Sequence, residues 1–144
     1  CDAFLDISIA KDHDGTRFSG CLKNVMGACT GATNRFFHAG SGAKTEYGDV
    51  DFLSQCIADS LLIRKPALCV LDATVVLGDN GPAGPGTLLE PRRVVVGADP
   101  VAVDAYGAGL IGRSAADIAM IQKAAGHGIG KADVSKIAVK DVAI

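Results

Sequence analysis

Residues 92–112 read RRVVVGADPVAVDAYGAGLIG. Arg92 to Gly97 carries a run of β-branched residues, the composition of a strand. Asp99 then stands directly before Pro100. An aspartate can accept hydrogen bonds from the free N–H groups of a helix start. A proline at the first helical position forfeits no bond there. The pattern predicts a helix through Val103, Ala105 and Ala108 to Gly112, with small residues suited to close packing. A strand passing straight into a helix sets the fold class, and the flanking sequence repeats the alternation.

Upstream, residues 67–77 (ALCVLDATVVL) form a nearly continuous apolar run interrupted by Asp72. Such a run predicts a strand buried on both faces. Residues 78–86 (GDNGPAGPG) follow as a rigid, irregular loop. Before them, Val50, Leu53, Ile57 and Leu61 recur at helical spacing within residues 49–64, with Asp49 and Asp51 at the start and Pro66 as the stop. Residues 3–10 (AFLDISIA) predict a strand and 11–18 a charged loop. Ser19 is expected to cap a short helix running through Leu22, Val25 and Met26 to Gly27. Residues 28–48 show no period and are expected to be a long loop. Downstream, Ser114 to Asp117 has the form of a capping box opening a helix with Ile118, Ile121 and Ala125. Gly126 to Gly130 ends that helix, and residues 136–142 predict a last alternating strand. The whole reads as one α/β domain over residues 1–144, layered, with a mixed, mainly parallel sheet and helices packed on it.

The chain has 144 residues, 49% of them hydrophobic, enough for a core without disulfide staples. Its net charge of −2 argues against nucleic acid as a partner, and no apolar run reaches membrane-spanning length. Cys1 to Ile7 reads as the approach to a strand with no initiator Met before it, so the chain is expected to be a piece of a longer one. The five cysteines (Cys1, Cys21, Cys29, Cys56 and Cys69) are odd in number and widely spaced, without any C-x-x-C. They are expected to be reduced, mostly buried thiols of a cytoplasmic protein, with no metal held. A metal site from Cys21, Cys29 and a histidine is the alternative. Gly126-His-Gly-Ile-Gly-Lys131 follows a helix instead of opening one, so it reads as a helix end and not a phosphate loop.

Two groups of residues carry candidate chemistry. Lys11, His13, Lys23, Asn24, Arg35 and His38 fall within 28 positions beside a helix start. Cations and helix N-termini both favour anions, so a carboxylate, phosphate or sulfonate site is expected. Lys23 and His13 are the candidate proton-transfer residues, Lys23 because an apolar setting lowers an ammonium pKa. The bland alternative is a solvated charged loop with one snorkelling lysine. The second group is acidic: Asp72, Asp99 and Asp104. Asp72 within a buried strand needs partners, Asp99 is explained as a helix cap, and Asp104 is expected to pair with a cation.

These residues stand in the order of a known family. Lys11-Asp-His13, Ser19-Gly-Cys-Leu-Lys23-Asn24-Val-Met-Gly27, Arg35, His38, Asp72, Asn80-Gly81-Pro-Ala-Gly84, Asp99-Pro-Val-Ala-Val-Asp104-Ala105 and Gly128-Ile-Gly130 together resemble domain-of-unknown-function family 362. The departures are Ala10 and Thr30, where the family often has Pro, and Lys140-Asp141 in place of a terminal Gly. The resemblance implies that His13, Lys23 and Asn24 form a site; with the charge reading above, a small anion is expected around Lys11, His13, Lys23 and His38, with Asn24, Arg35, Gly81 and Gly84 contributing. It also implies a ferredoxin-like module with an iron–sulfur cluster elsewhere in a longer chain, and no cofactor within these residues. A non-catalytic binding or assembly domain, holding an anion or a partner's carboxylate, is the competing expectation.

Overall fold

The computed structural model describes residues 1–39 and 49–142. Along the chain these are β1 (Leu5–Ile9), α1 (Cys21–Asn24) continued by a 3-10 turn (Val25–Ala28), α2 (Gly31–Ala39), α3 (Val50–Ile63), β2 (Leu68–Ala73), β3 (Val76–Leu77), β4 (Leu88–Leu89), β5 (Arg93–Gly97) and α4 (Pro100–Leu110). A 3-10 turn (Ala115–Asp117), α5 (Ala119–Gly126) and a last 3-10 turn (Val134–Lys136) complete it. The fold is α/β.

The main sheet has the order β1-β2-β5. β1 runs parallel to β2, setting Asp6 beside Cys69 and Ile7 beside Val70. β2 runs antiparallel to β5. The sheet is therefore mixed, with one pairing of each kind instead of a mainly parallel set. β3 and β4 pair separately as an antiparallel ribbon that carries the Gly/Pro loop.

Helices cover one face of this sheet. Asp6, Ser8, Cys69, Leu71 and Ala73 point into the interior, where Phe18, Leu22, Leu53, Ile57, Val101, Ile118, Met120 and Ile121 complete the core. Gly107 lets α4 lie directly on β2, since a Cβ there would run into Leu71. On the opposite face Leu5, Ile7, Ile9, Val94 and Val96 are all more than half exposed. The apolar run at 67–77 is thus covered on one side only, and it bends at Thr74-Val75 into two strands.

The helix starts at Asp49 and Asp99 are as read: each carboxylate accepts from the N–H three residues on. Four expectations need correction. Ser19 caps nothing, because its backbone is paired with Lys11 and Gly20 precedes α1. The expected loop at 28–48 contains α2, started by the Thr30 hydroxyl accepting from Thr33 N, while residues 40–48 lie outside the described residues. Ser114 starts only a 3-10 turn, since an extended Ile118 separates it from α5. Residues 136–142 alternate but find no strand to pair with among the described residues, and alternation without a ladder is not a strand.

Candidate functional site

Lys11 follows β1 after a single residue, at the carboxyl end of a strand parallel to its neighbour. Ligands of open α/β sheets bind beyond such ends. Mutual backbone hydrogen bonds between Lys11 and Ser19 pinch the 11–19 loop closed. His13 lies within that loop, where its Nδ1 accepts from Gly15 N at 3.1 Å and Thr16 N at 3.3 Å. The neutral ring therefore carries its proton on Nε2. Burial, then the positive charges of Lys23 and Lys11, push the His13 pKa down to about 4; Asp14 opposes this and His38 adds to it. Lys23 is likewise lowered, by burial first and Lys11 second. Lys11, Lys23 and His38 thus all act on His13, and Lys11 acts on Lys23 as well. Neither Lys11 nor Lys23 has an ion-pair partner among the described residues.

The remaining members of the basic group are placed differently. His38, on α2, donates from Nδ1 to the Asn34 carbonyl at 2.9 Å. Arg35 is exposed on the same helix. Asn24 is taken up internally, since its amide donates to Asp6 Oδ1 at 2.6 Å and to the Ile7 carbonyl at 3.2 Å. Gly81 is buried against the backbone of Asp12, where a Cβ would collide with the Asp12 carbonyl. Gly84 takes φ +69°, a left-handed turn that favours glycine.

Sequence reading missed the residues that hold this loop. Asp12, only 4% exposed, accepts from Gly81 N at 3.1 Å and from Arg113 Nη2 at 2.6 Å. Asp14 N in turn donates to the Gly81 carbonyl. The basic loop and the Gly/Pro loop are therefore clamped together. Asp12 sits inside the Lys-Asp-His motif and could have been suspected. Arg113, 101 positions away, had no local signal.

The three acidic residues do not assemble. Asp72, half-buried, accepts from the N–H and hydroxyl of Thr74, which lower its pKa. Asp99 caps α4 and also accepts from Lys131 N; Gly130 lies so close that no side chain would fit. The Gly128–Gly130 turn is accordingly a helix end fastened to Asp99. Asp104 meets no cation among the described residues. Fully buried, it accepts from Cys21 N at 2.7 Å and Leu22 N at 2.9 Å. Burial raises its pKa to about 7 against those two bonds, and Asp6 adds to the rise.

Behind β1, Asp6, Cys21 and Cys69 bring a carboxylate oxygen and two sulfurs within 4.8 Å of one another. The Ser8 hydroxyl lies 3.1 Å from Cys21 Sγ. Cys29, the partner of Cys21 in the alternative metal reading, belongs to no such group among the described residues, and neither do Cys1 and Cys56. An iron–sulfur cluster takes four cysteine-type donors. Only two cysteines gather here, so the described residues do not fit one.

The described cavities lie elsewhere. One of about 790 Å³ is lined by Tyr106, Leu110, Arg113, Gln122 and Val134 among others. No described helix is long and apolar enough to cross a membrane.

Comparison with known proteins gives one match. The family model described as "Domain of unknown function (DUF362)" covers residues 1–109, from β1 to the last turn of α4. No curated protein and no solved structure matches the chain.

Proposed function

The chain belongs to the DUF362 family, and from that premise we propose that its domain binds a small anion at Lys11, His13, Lys23 and His38. The observation that carries this reading is that Lys11, Lys23 and the exposed His38 all act on the half-buried His13, and that no carboxylate among the described residues is paired to either lysine. Like charges held together repel, and an anion among them relieves the repulsion. A carboxylate, phosphate or sulfonate has that charge and accepts from ammonium and imidazole N–H groups. Arg35, exposed on the neighbouring helix, extends the positive surface.

The same geometry supports proton transfer. His13 is neutral at pH 7, and Lys23 holds its proton less firmly than a free lysine. In the enzyme reading, Lys23 or His13 moves a proton on the bound anion, and a ferredoxin-like module elsewhere in a longer protein supplies electrons. In the second reading the same groups only hold an anion or a partner's carboxylate.

Calorimetric titration of the intact chain with phosphate, acetate and methanesulfonate tests the anion site. Saturable binding, weakened at least about tenfold by Lys11→Ala or Lys23→Ala, is the expected result. Absence of saturable binding by all three anions overturns it. The titration of Lys23, followed by NMR, separates the two readings: a pKa at its ordinary value of about 10.4 leaves only the binding role. Iron and sulfide analysis with an absorption spectrum of a longer natural chain tests the redox association.

A further inference from the structure

The buried trio behind β1 has no part in the anion site. Asp6 is 2% exposed, and Cys21 and Cys69 are fully enclosed. Asp6 and Cys69 are directly opposed on adjacent parallel strands, so their side chains leave the sheet on the same face. Cys21 is the first residue of α1, which packs over that face. Three rigid elements thus hold three donor side chains against one another.

One atom of the trio is unaccounted for. Asn24 fixes Asp6 Oδ1, but Asp6 Oδ2 is sealed from solvent and accepts no hydrogen bond among the described residues. A buried carboxylate oxygen without a partner is costly, and such an atom calls for an explanation. A cation bound between the carboxylate and the sulfurs supplies one.

We propose that Asp6, Cys21 and Cys69 form a closed binding site for a thiophilic divalent cation of the zinc type. Two sulfurs and one carboxylate oxygen are a donor set that zinc accepts, at about 2.3 Å to sulfur and 2.0–2.2 Å to oxygen. Donors so bound lie roughly 3.5–4 Å apart in a tetrahedron, so atoms already within 4.8 Å need only small shifts. The Ser8 hydroxyl, 3.1 Å from Cys21 Sγ, serves as the fourth donor in this proposal. Asn24 acts as the positioning residue, orienting the Asp6 carboxylate as outer partners of metal ligands do. Binding is not a redox step. The cation enters, the two thiols each release one proton to solvent, and two metal–sulfur bonds and one metal–oxygen bond form. This departs from the expectation that the cysteines hold no metal.

The test uses the whole chain with Cys1, Cys29 and Cys56 replaced by serine, so that only the buried pair remains. After chelator treatment it is titrated with Co²⁺ alone and then with Zn²⁺. The expected result is one equivalent of cobalt, with thiolate-to-cobalt charge-transfer absorption and tetrahedral ligand-field bands, displaced by zinc. Adding Cys69→Ser should abolish the charge-transfer band or weaken binding at least about tenfold, and Asp6→Asn should weaken it similarly. Circular dichroism confirms that each variant is folded. Zinc should also slow reaction of the two remaining thiols with a disulfide reagent, which needs no spectroscopic metal. A folded chain that takes up no cobalt overturns the proposal. So does binding that survives both substitutions, or conversion of the pair to a disulfide under conditions where zinc is present and unbound.

Discussion

Asp104, on α4, starts the helix that begins at Cys21, eighty-three residues earlier in the chain. Its two oxygens take the N–H groups of Cys21 and Leu22, and Gly20 leaves room for them: a Cβ there would lie 2.5 Å from Asp104 Oδ1. Asp104→Ala should therefore lower stability by about 2–4 kcal/mol, through two orphaned buried donors and the cavity left behind. Gly20→Ala should also be strongly destabilising. Urea denaturation checks both: the midpoint should fall with little change in slope.

The Asp12–Arg113 pair closes the basic loop onto the Gly/Pro loop. Its Asp12 side chain is 6% exposed and its Arg113 side chain 34%. Arg113→Met leaves a buried carboxylate with only the Gly81 N–H. A loss of about 1–3 kcal/mol is expected, below the range for a fully buried pair because Arg113 is partly wet. Hydrogen exchange at the Gly81 and Asp14 amides should speed up while that of β2 changes little. Equal acceleration throughout would mean that the pair supports the whole fold and not these two loops.

His13 gives a pH dependence of definite sign. Its pKa is about 4 in the folded chain and 6.5 as an ordinary imidazole. Unfolding therefore takes up a proton between those values, and stability falls as the pH drops from about 6.5 to about 4. Below that the contribution levels off. Allowing for solvent around a half-buried ring, it amounts to roughly 1 kcal/mol. His13→Gln should flatten the stability curve across this interval, and an unchanged curve would remove the depressed imidazole.

Lys11 lowers both His13 and Lys23. Lys11→Met should raise both pKa values, read by NMR from the His13 ring and the Lys23 side-chain signals. Movement of neither would mean that the three groups do not share one field.

The parts of the fold that could be read in advance are those with local causes. Asp99-Pro100 and the helical spacing from Val50 to Leu61 carry their own start signals, and both helices form as read. Lys11, His13, Lys23 and His38 stood out because cations and imidazoles gather within 28 positions beside a helix start, and Lys23 also because it interrupts a small, apolar stretch. What escaped has causes distant in sequence. Ser19 looked like the cap of α1, but the cap comes from Asp104 on another helix. Asp104 suggested a cation partner, yet backbone N–H groups satisfy it. Cys69 was one of several scattered cysteines until strand register set it beside Asp6. The alternation at 136–142 lacked only a neighbouring strand, which no local pattern could reveal.

The uncovered side of the main sheet has a practical consequence. Leu5, Ile7, Ile9, Val94 and Val96 form a wall of aliphatic groups against water, and such a wall makes a chain adhere to itself and to vessel surfaces as its concentration rises. Threonine at Ile7 and Val96 keeps the branched shape that strands prefer while adding a hydroxyl that water can solvate. A doubly substituted chain should stay dispersed at the millimolar strengths that NMR needs, with its interior unaltered.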